Sequence, residues 1–96
     1  MKLLDANGKD TQDLELGIVE VGSSKEYEYV LFNDTEAEAV DIEVSINNKE
    51  IKIVESPKKM PPMSKSKLKI KWSPTLEVKK ASKTKIQIDV TELYHL

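Results

Sequence analysis

The sequence predicts an all-β protein, a sandwich of about seven antiparallel strands in two sheets. Apolar and polar residues alternate with period two in segment after segment, and no stretch of helix length holds a 3.6-residue period. The alternating segments are also punctuated by clusters of Gly, Pro, Asn and Asp at sandwich spacing. A chain of 96 residues with 39% hydrophobic content can fill one such core but not two. A single domain over residues 1–96, with its core at about 13–92, is therefore expected.

A short N-terminal strand precedes Asp5-Ala6-Asn7-Gly8, whose Asn-Gly pair tolerates positive φ and marks a tight turn. Leu14, Leu16, Ile18, Val19 and Val21 form a first long strand, broken or switched between sheets at Gly17 and stopped at Gly22. Lys25 to Asn33 is the second, with Tyr27, Tyr29 and Leu31 on one face and Glu26 and Glu28 on the other; Val30 and Phe32 make its far end apolar on both faces. Asn33-Asp34-Thr35-Glu36 turns into a third strand, where Val40, Ile42, Val44 and Ile46 alternate with Asp41, Glu43, Ser45 and Asn47. Asn47-Asn48 turns into Glu50 to Val54. Pro57 and Met60-Pro61-Pro62-Met63 then mark an irregular crossing, because proline removes ladder donors.

Lys65 to Trp72 sets Leu68, Ile70 and Trp72 against Lys65, Lys67, Lys69 and Lys71, and Ser73-Pro74 ends it. A loop from Thr75 to Ser82 holds a short strand at Leu76 to Val78. The last strand sets Ile86, Ile88 and Val90 against Lys85, Gln87 and Asp89. These parities predict a core of Tyr29, Leu31, Val40, Ile42, Val44, Leu68, Ile70, Trp72, Ile86 and Ile88 between two sheets.

Composition excludes several classes of function. Without cysteine there is neither a disulfide framework nor a thiolate metal site. The N-terminus turns polar at Asp5 before a signal-peptide stretch can form, and no apolar run is long enough to cross a bilayer, so synthesis in a cytoplasm and no membrane partner are expected. All fifteen basic residues are lysine, which removes the planar fork that reads phosphates and guanine edges.

The net charge is only −2, yet residues 1–48 hold 3 lysines against 12 acidic residues and residues 49–96 hold 12 against 5. Either the chain carries a basic binding face, or acidic early strands pair with basic late ones in one sheet. Nucleic acid is disfavoured, because single-strand binders interleave aromatics with positive charge and Trp72 has the opposite parity from the lysines.

Candidate chemistry is sparse, and no catalytic, cofactor-binding or metal residue is assigned. The single histidine, His95, lies one residue from the C-terminus and reads as tail, so a buried base for a nucleophile is missing. Glu26 and Glu28 share a strand face as a carboxylate pair could, but they read as solvated strand residues. Asp5, Asn7, Asp10 and Asp13 offer oxygen ligands, yet the glycine falls at the fourth position where a calcium loop wants it at the sixth. Asn33-Asp34-Thr35 matches a glycosylation sequon and reads as a turn in the absence of a secretory signal.

The Leu-x-Leu-Gly-x-Val-x-Val-Gly opening (Leu14 to Gly22), a strand ending in Asn33, a proline-rich turn and a strand ending in Trp72-Ser73-Pro74 together resemble one family of domains. They look like the immunoglobulin-like domains of the ASPM, SPD-2, Hydin and major sperm protein group, and the likeness covers roughly residues 13–92. The resemblance implies an immunoglobulin-like sandwich acting as a non-catalytic module in ciliary, centrosomal and cytoskeletal assemblies; comparable domains occur in bacterial proteins and on tailed-phage virions. In that topology the third strand pairs with the penultimate one, which would set Asp41 and Glu43 against Lys67, Lys69 and Lys71.

The expected function is thus structural or binding, with a protein partner and no cofactor. The first candidate is an accessory subunit that decorates or attaches to a phage capsid or tail, ending up on the virion; a lone module starting at Met1 and lacking arginine suggests it. The alternative is an intracellular adaptor binding a peptide or protein, as major-sperm-protein-like domains do. The candidate contact residues are the apolar termini, Leu3, Leu4, Leu93, Tyr94 and Leu96, and the lysine face, Lys65, Lys67, Lys69 and Lys71, toward a larger assembly or a second copy of the chain.

Overall fold

The computed structural model describes all residues except 12, 15, 20, 21, 75–78, 82, 83, 95 and 96. Ten strands follow in chain order: β1 (Lys2–Leu4), β2 (Asp10–Thr11), β3 (Asp13–Leu14), β4 (Gly17–Val19), β5 (Lys25–Phe32), β6 (Glu38–Ile46), β7 (Ile51–Glu55), β8 (Lys65–Trp72), β9 (Lys79–Ala81) and β10 (Thr84–Leu93). No helix occurs among the described residues. The strands form a five-stranded antiparallel sheet in the order β2-β1-β5-β8-β7, a three-stranded sheet β3-β10-β6 and a two-stranded ribbon β4-β9. The expected short strand at Leu76 to Val78 lies outside the described residues.

Alternation along the strands builds the core between the two larger sheets. Leu3, Tyr29, Leu31, Ile51, Leu68, Ile70 and Trp72 come from one side, and Leu14, Ala39 and Ile42 from the other. Burying each large side chain contributes about 1.5–3 kcal/mol. Trp72 is 1% exposed, and its indole N–H finds no acceptor among the described residues. Val44, Ile46, Ile86, Ile88 and Val90 also point inward but stay half-buried, so the three-stranded sheet is the less covered layer.

The expected break near Gly17 is a change of sheet. Leu14 pairs with Thr84 of β10, whereas Gly17 pairs with Ala81 of β9. The Tyr27 hydroxyl donates to the Leu16 carbonyl and pins the crossing segment to β5; burial pushes that phenol's pKa up.

Two expectations about β6 are overturned. First, Val40 is half-buried and does not join the core, because a β-bulge interrupts the alternation. Val40 stands opposite Thr91 and Glu43 opposite Asp89, leaving Asp41 and Ile42 against Val90 alone; Asp41 takes φ 50° to accommodate the extra residue. Ala39 and Ile42, three positions apart, therefore both face the interior. Second, β6 pairs with β10, and β8 lies between β5 and β7 in the other sheet, so Asp41 and Glu43 do not face the β8 lysines.

Residues 56–64 join β7 to β8 within the five-stranded sheet and on the way reach over to β6 of the other sheet. Met60 bridges Ala39 through N–H···O bonds of 2.8 and 2.9 Å and is buried in the core. The buried Asn33 amide ties this crossing to the β5–β6 turn: it donates to the carbonyls of Ala37 (2.8 Å) and Pro61 (3.0 Å) and accepts from the Thr35 hydroxyl at 2.8 Å. Every polar edge of that side chain is engaged in structure, in keeping with the turn role expected for the Asn33-Asp34-Thr35 sequence.

Candidate protein-contact surface

β8 pairs with β5 in a register that puts Lys71 opposite Glu26, Lys69 opposite Glu28, Lys67 opposite Val30 and Lys65 opposite Phe32. On its other side β7 sets Lys52 opposite Lys71 and Glu55 opposite Lys69. Acidic early residues do answer the basic late strand, but the partners are Glu26 and Glu28. The lysine row is consequently uneven. Lys69 stands between two carboxylates, Lys71 between Glu26 and Lys52, and the Lys65–Lys67 end lies beside apolar side chains.

At the Lys65–Lys67 end the Lys67 ammonium reaches diagonally to Glu28 at 3.6 Å, a contact between largely exposed groups that adds little stability. The Lys65 ammonium sits 5.5 Å from the centroid of the Phe32 ring, within cation–π range. Phe32 is thus the aromatic that shares the lysine face. Its signal in the sequence is the β5 end that is apolar on both faces, Val30 and Phe32.

A groove of about 270 Å³ opens beside these residues, lined by Leu4, Asp5, Gly8, Val30, Lys65 and Lys67 among others. Its wall is the β1–β2 hairpin. The Asp5 carboxylate accepts the N–H groups of Asn7 (2.9 Å) and Lys9 (3.0 Å), and Gly8 closes the turn at φ 80°. Asp5 is therefore engaged as a turn-former.

The termini behave differently from one another. Leu3 is 5% exposed and joins the core, a correction to its expected place at a contact surface, whereas Leu4, 9% exposed, lies opposite Val30 on the outer side of the sheet and lines the groove. β1 pairs with β5 (Leu3 with Leu31, Leu4 with Val30), and the Met1 ammonium donates to Asp34 Oδ1 at 3.1 Å, which holds that carboxyl below its usual range. At the other end Leu93 is 47% and Tyr94 62% exposed; the Tyr94 hydroxyl donates to Glu92 at 2.9 Å, and that carboxylate raises the phenol's pKa. Leu96 and His95 lie outside the described residues. Among the described residues no cluster of His, Asp and Glu has the geometry of a metal site.

The immunoglobulin-like sandwich and its connections agree with a family model described as ASH: Abnormal spindle-like microcephaly-assoc'd, ASPM-SPD-2-Hydin, which matches residues 2–92. The chain belongs to the ASH family. The match extends beyond the segment carrying the resemblance in the sequence and takes in β1 as a genuine strand of the domain. As an ASH domain the chain is a protein-interaction module of a non-enzymatic family. Comparison with curated proteins and with solved structures returns no match.

Proposed function

We propose that this ASH domain is an adaptor that captures an acidic segment of a protein partner on the outer face of its five-stranded sheet. The supporting observation is the Lys65–Lys67 end of β8, where positive charge adjoins Phe32, Val30 and the groove wall. A segment with carboxylates and one or two apolar side chains would satisfy both features, the charges guiding approach and the apolar contacts prolonging it. Attachment to a phage capsid or tail draws no support from the fold or the family, and the adaptor reading takes precedence.

Titration with a synthetic peptide of alternating Glu and Leu, followed by amide NMR shifts, should move β5 and β8 signals. Lys65→Glu with Lys67→Glu should weaken binding about tenfold or more. Shifts confined to β6 and β10, or affinity unchanged in that variant, would refute the assignment. Retention on heparin should be lost near physiological ionic strength, since Lys69 stands between Glu28 and Glu55, Lys67 reaches Glu28, and the few remaining exposed lysines make a poor polyanion site.

A further inference from the structure

The face opposite the lysines carries the complementary charge. Among the described residues, the outer side of the three-stranded sheet presents exposed Asp41, Glu43 and Asp89, with Glu38 half-exposed at its end; Lys85 is the base there, opposite Asp13. Glu43 and Asp89 stand directly opposite each other in register, an arrangement that destabilises an antiparallel pair unless a cation lies between or above them. The apolar content matches as well. Val40 is displaced onto this side by the bulge, and Leu93, nearly half exposed, continues the row opposite Glu38, just as Phe32 and Val30 interrupt the lysine face.

We propose that the domain binds a second copy of itself head to tail, the lysine-bearing face of one copy on the Glu43–Asp89 face of the next. This deepens the reading of the lysine face as a protein-contact surface and rests on it; the partner it names is another copy of the chain. Lys65 and Lys67 supply the cations that the Glu43–Asp89 pair lacks, and Phe32 meets Val40 or Leu93. Because the two surfaces lie on opposite sides of one sandwich, each copy keeps a free face after pairing, and the contact generates chains of copies instead of closed dimers. A net charge of only −2 leaves little overall repulsion to oppose stacking. Salt weakens the contact, since both faces are solvent-exposed before association.

Charge reversal tests the pairing in a form that general stickiness cannot imitate. Sedimentation of the wild-type chain at low salt should show a mass that rises with concentration and falls to that of one copy as salt is added. K65E/K67E and E43K/D89K, each alone, should remain single copies up to millimolar concentration, with Trp72 emission confirming the fold. An equimolar mixture should associate again, because each variant retains the face the other has lost.

A wild type that stays a single copy at millimolar concentration and low salt overturns the proposal, as does association of either variant alone or a mixture that fails to recover. The acidic Glu-Leu peptide separates the two levels of the inference. Peptide binding by a chain that never self-associates removes the second copy and leaves the lysine face standing, whereas loss of both removes the surface itself.

Discussion

The five-stranded sheet sets Glu26 opposite Lys71 and Glu28 opposite Lys69 but also Lys52 opposite Lys71, whereas the three-stranded sheet sets Lys85 opposite Asp13 but opposes Glu43 to Asp89. Their inward sides differ more. Leu31, Leu68, Ile70 and Trp72 are sealed, while Val44, Ile46, Ile86 and Ile88 remain half-exposed. Burial thus concentrates on the inner side of the five-stranded sheet while the three-stranded sheet keeps half-exposed apolar residues, and each outer face retains a like-charge pair, Lys52–Lys71 on one and Glu43–Asp89 on the other. A binding module needs such an asymmetry, because a domain whose every surface is satisfied internally has little free energy left for a partner.

The largest effect expected from this difference is on stability. Trp72→Ala should cost about 3–5 kcal/mol, and Ile88→Ala, half-buried in the other sheet, roughly 1–2 kcal/mol. Urea unfolding of both variants measures the gap, and equal losses would show that the two sheets are packed alike. The wild-type indole emission should be blue-shifted and poorly quenched by iodide, as befits a single tryptophan in the core.

The bulge in β6 provides the next, smaller test. Asp41 holds φ 50°, a conformation that glycine adopts freely, aspartate tolerates and a β-branched residue resists. Asp41→Gly should be neutral or stabilising by up to about 1 kcal/mol, and Asp41→Val should destabilise by about 1–2 kcal/mol. A stabilising valine would mean that β6 prefers regular pairing, which would return Val40 toward the core and remove it from the outer face.

Much of the fold is legible because period-two alternation records burial directly: the alternation in β5 and β8 matches their buried and exposed faces, and the turn at Asp5–Gly8 is marked by its residues. β6 misled for a physical reason. Its alternation from Val40 to Ile46 is unbroken in the sequence, and a bulge is set by its partner's register and by backbone tolerance at Asp41, neither of which leaves a hydrophobic signature. Strand pairing was similarly hidden. Glu26 and Glu28, and equally Asp41 and Glu43, could have answered the β8 lysines, and only the topology chooses between them. At the candidate site the lysines were evident, but Leu3 and Leu4 looked like a loose apolar end because nothing local reveals that β1 docks on β5 beside Leu31 and Val30.

The smallest effect is the most specific to the contrast between the sheets, since a change in charge sign should act in opposite directions on their two faces. Glu43→Lys places a cation opposite Asp89 and converts a like-charge pair into an attractive one; it should stabilise the domain by roughly 0.2–1 kcal/mol. Lys69→Glu does the reverse, setting a carboxylate between Glu28 and Glu55, and should destabilise by a similar ~0.2–1 kcal/mol. Both shifts should shrink as salt is raised, because all the groups involved are at the surface. Urea midpoints at low protein concentration, where copies do not meet, isolate this internal term from any association. If Glu43→Lys destabilises the isolated domain, the Glu43–Asp89 pair is not under repulsive strain, and the electrostatic demand assigned to the three-stranded sheet disappears with it.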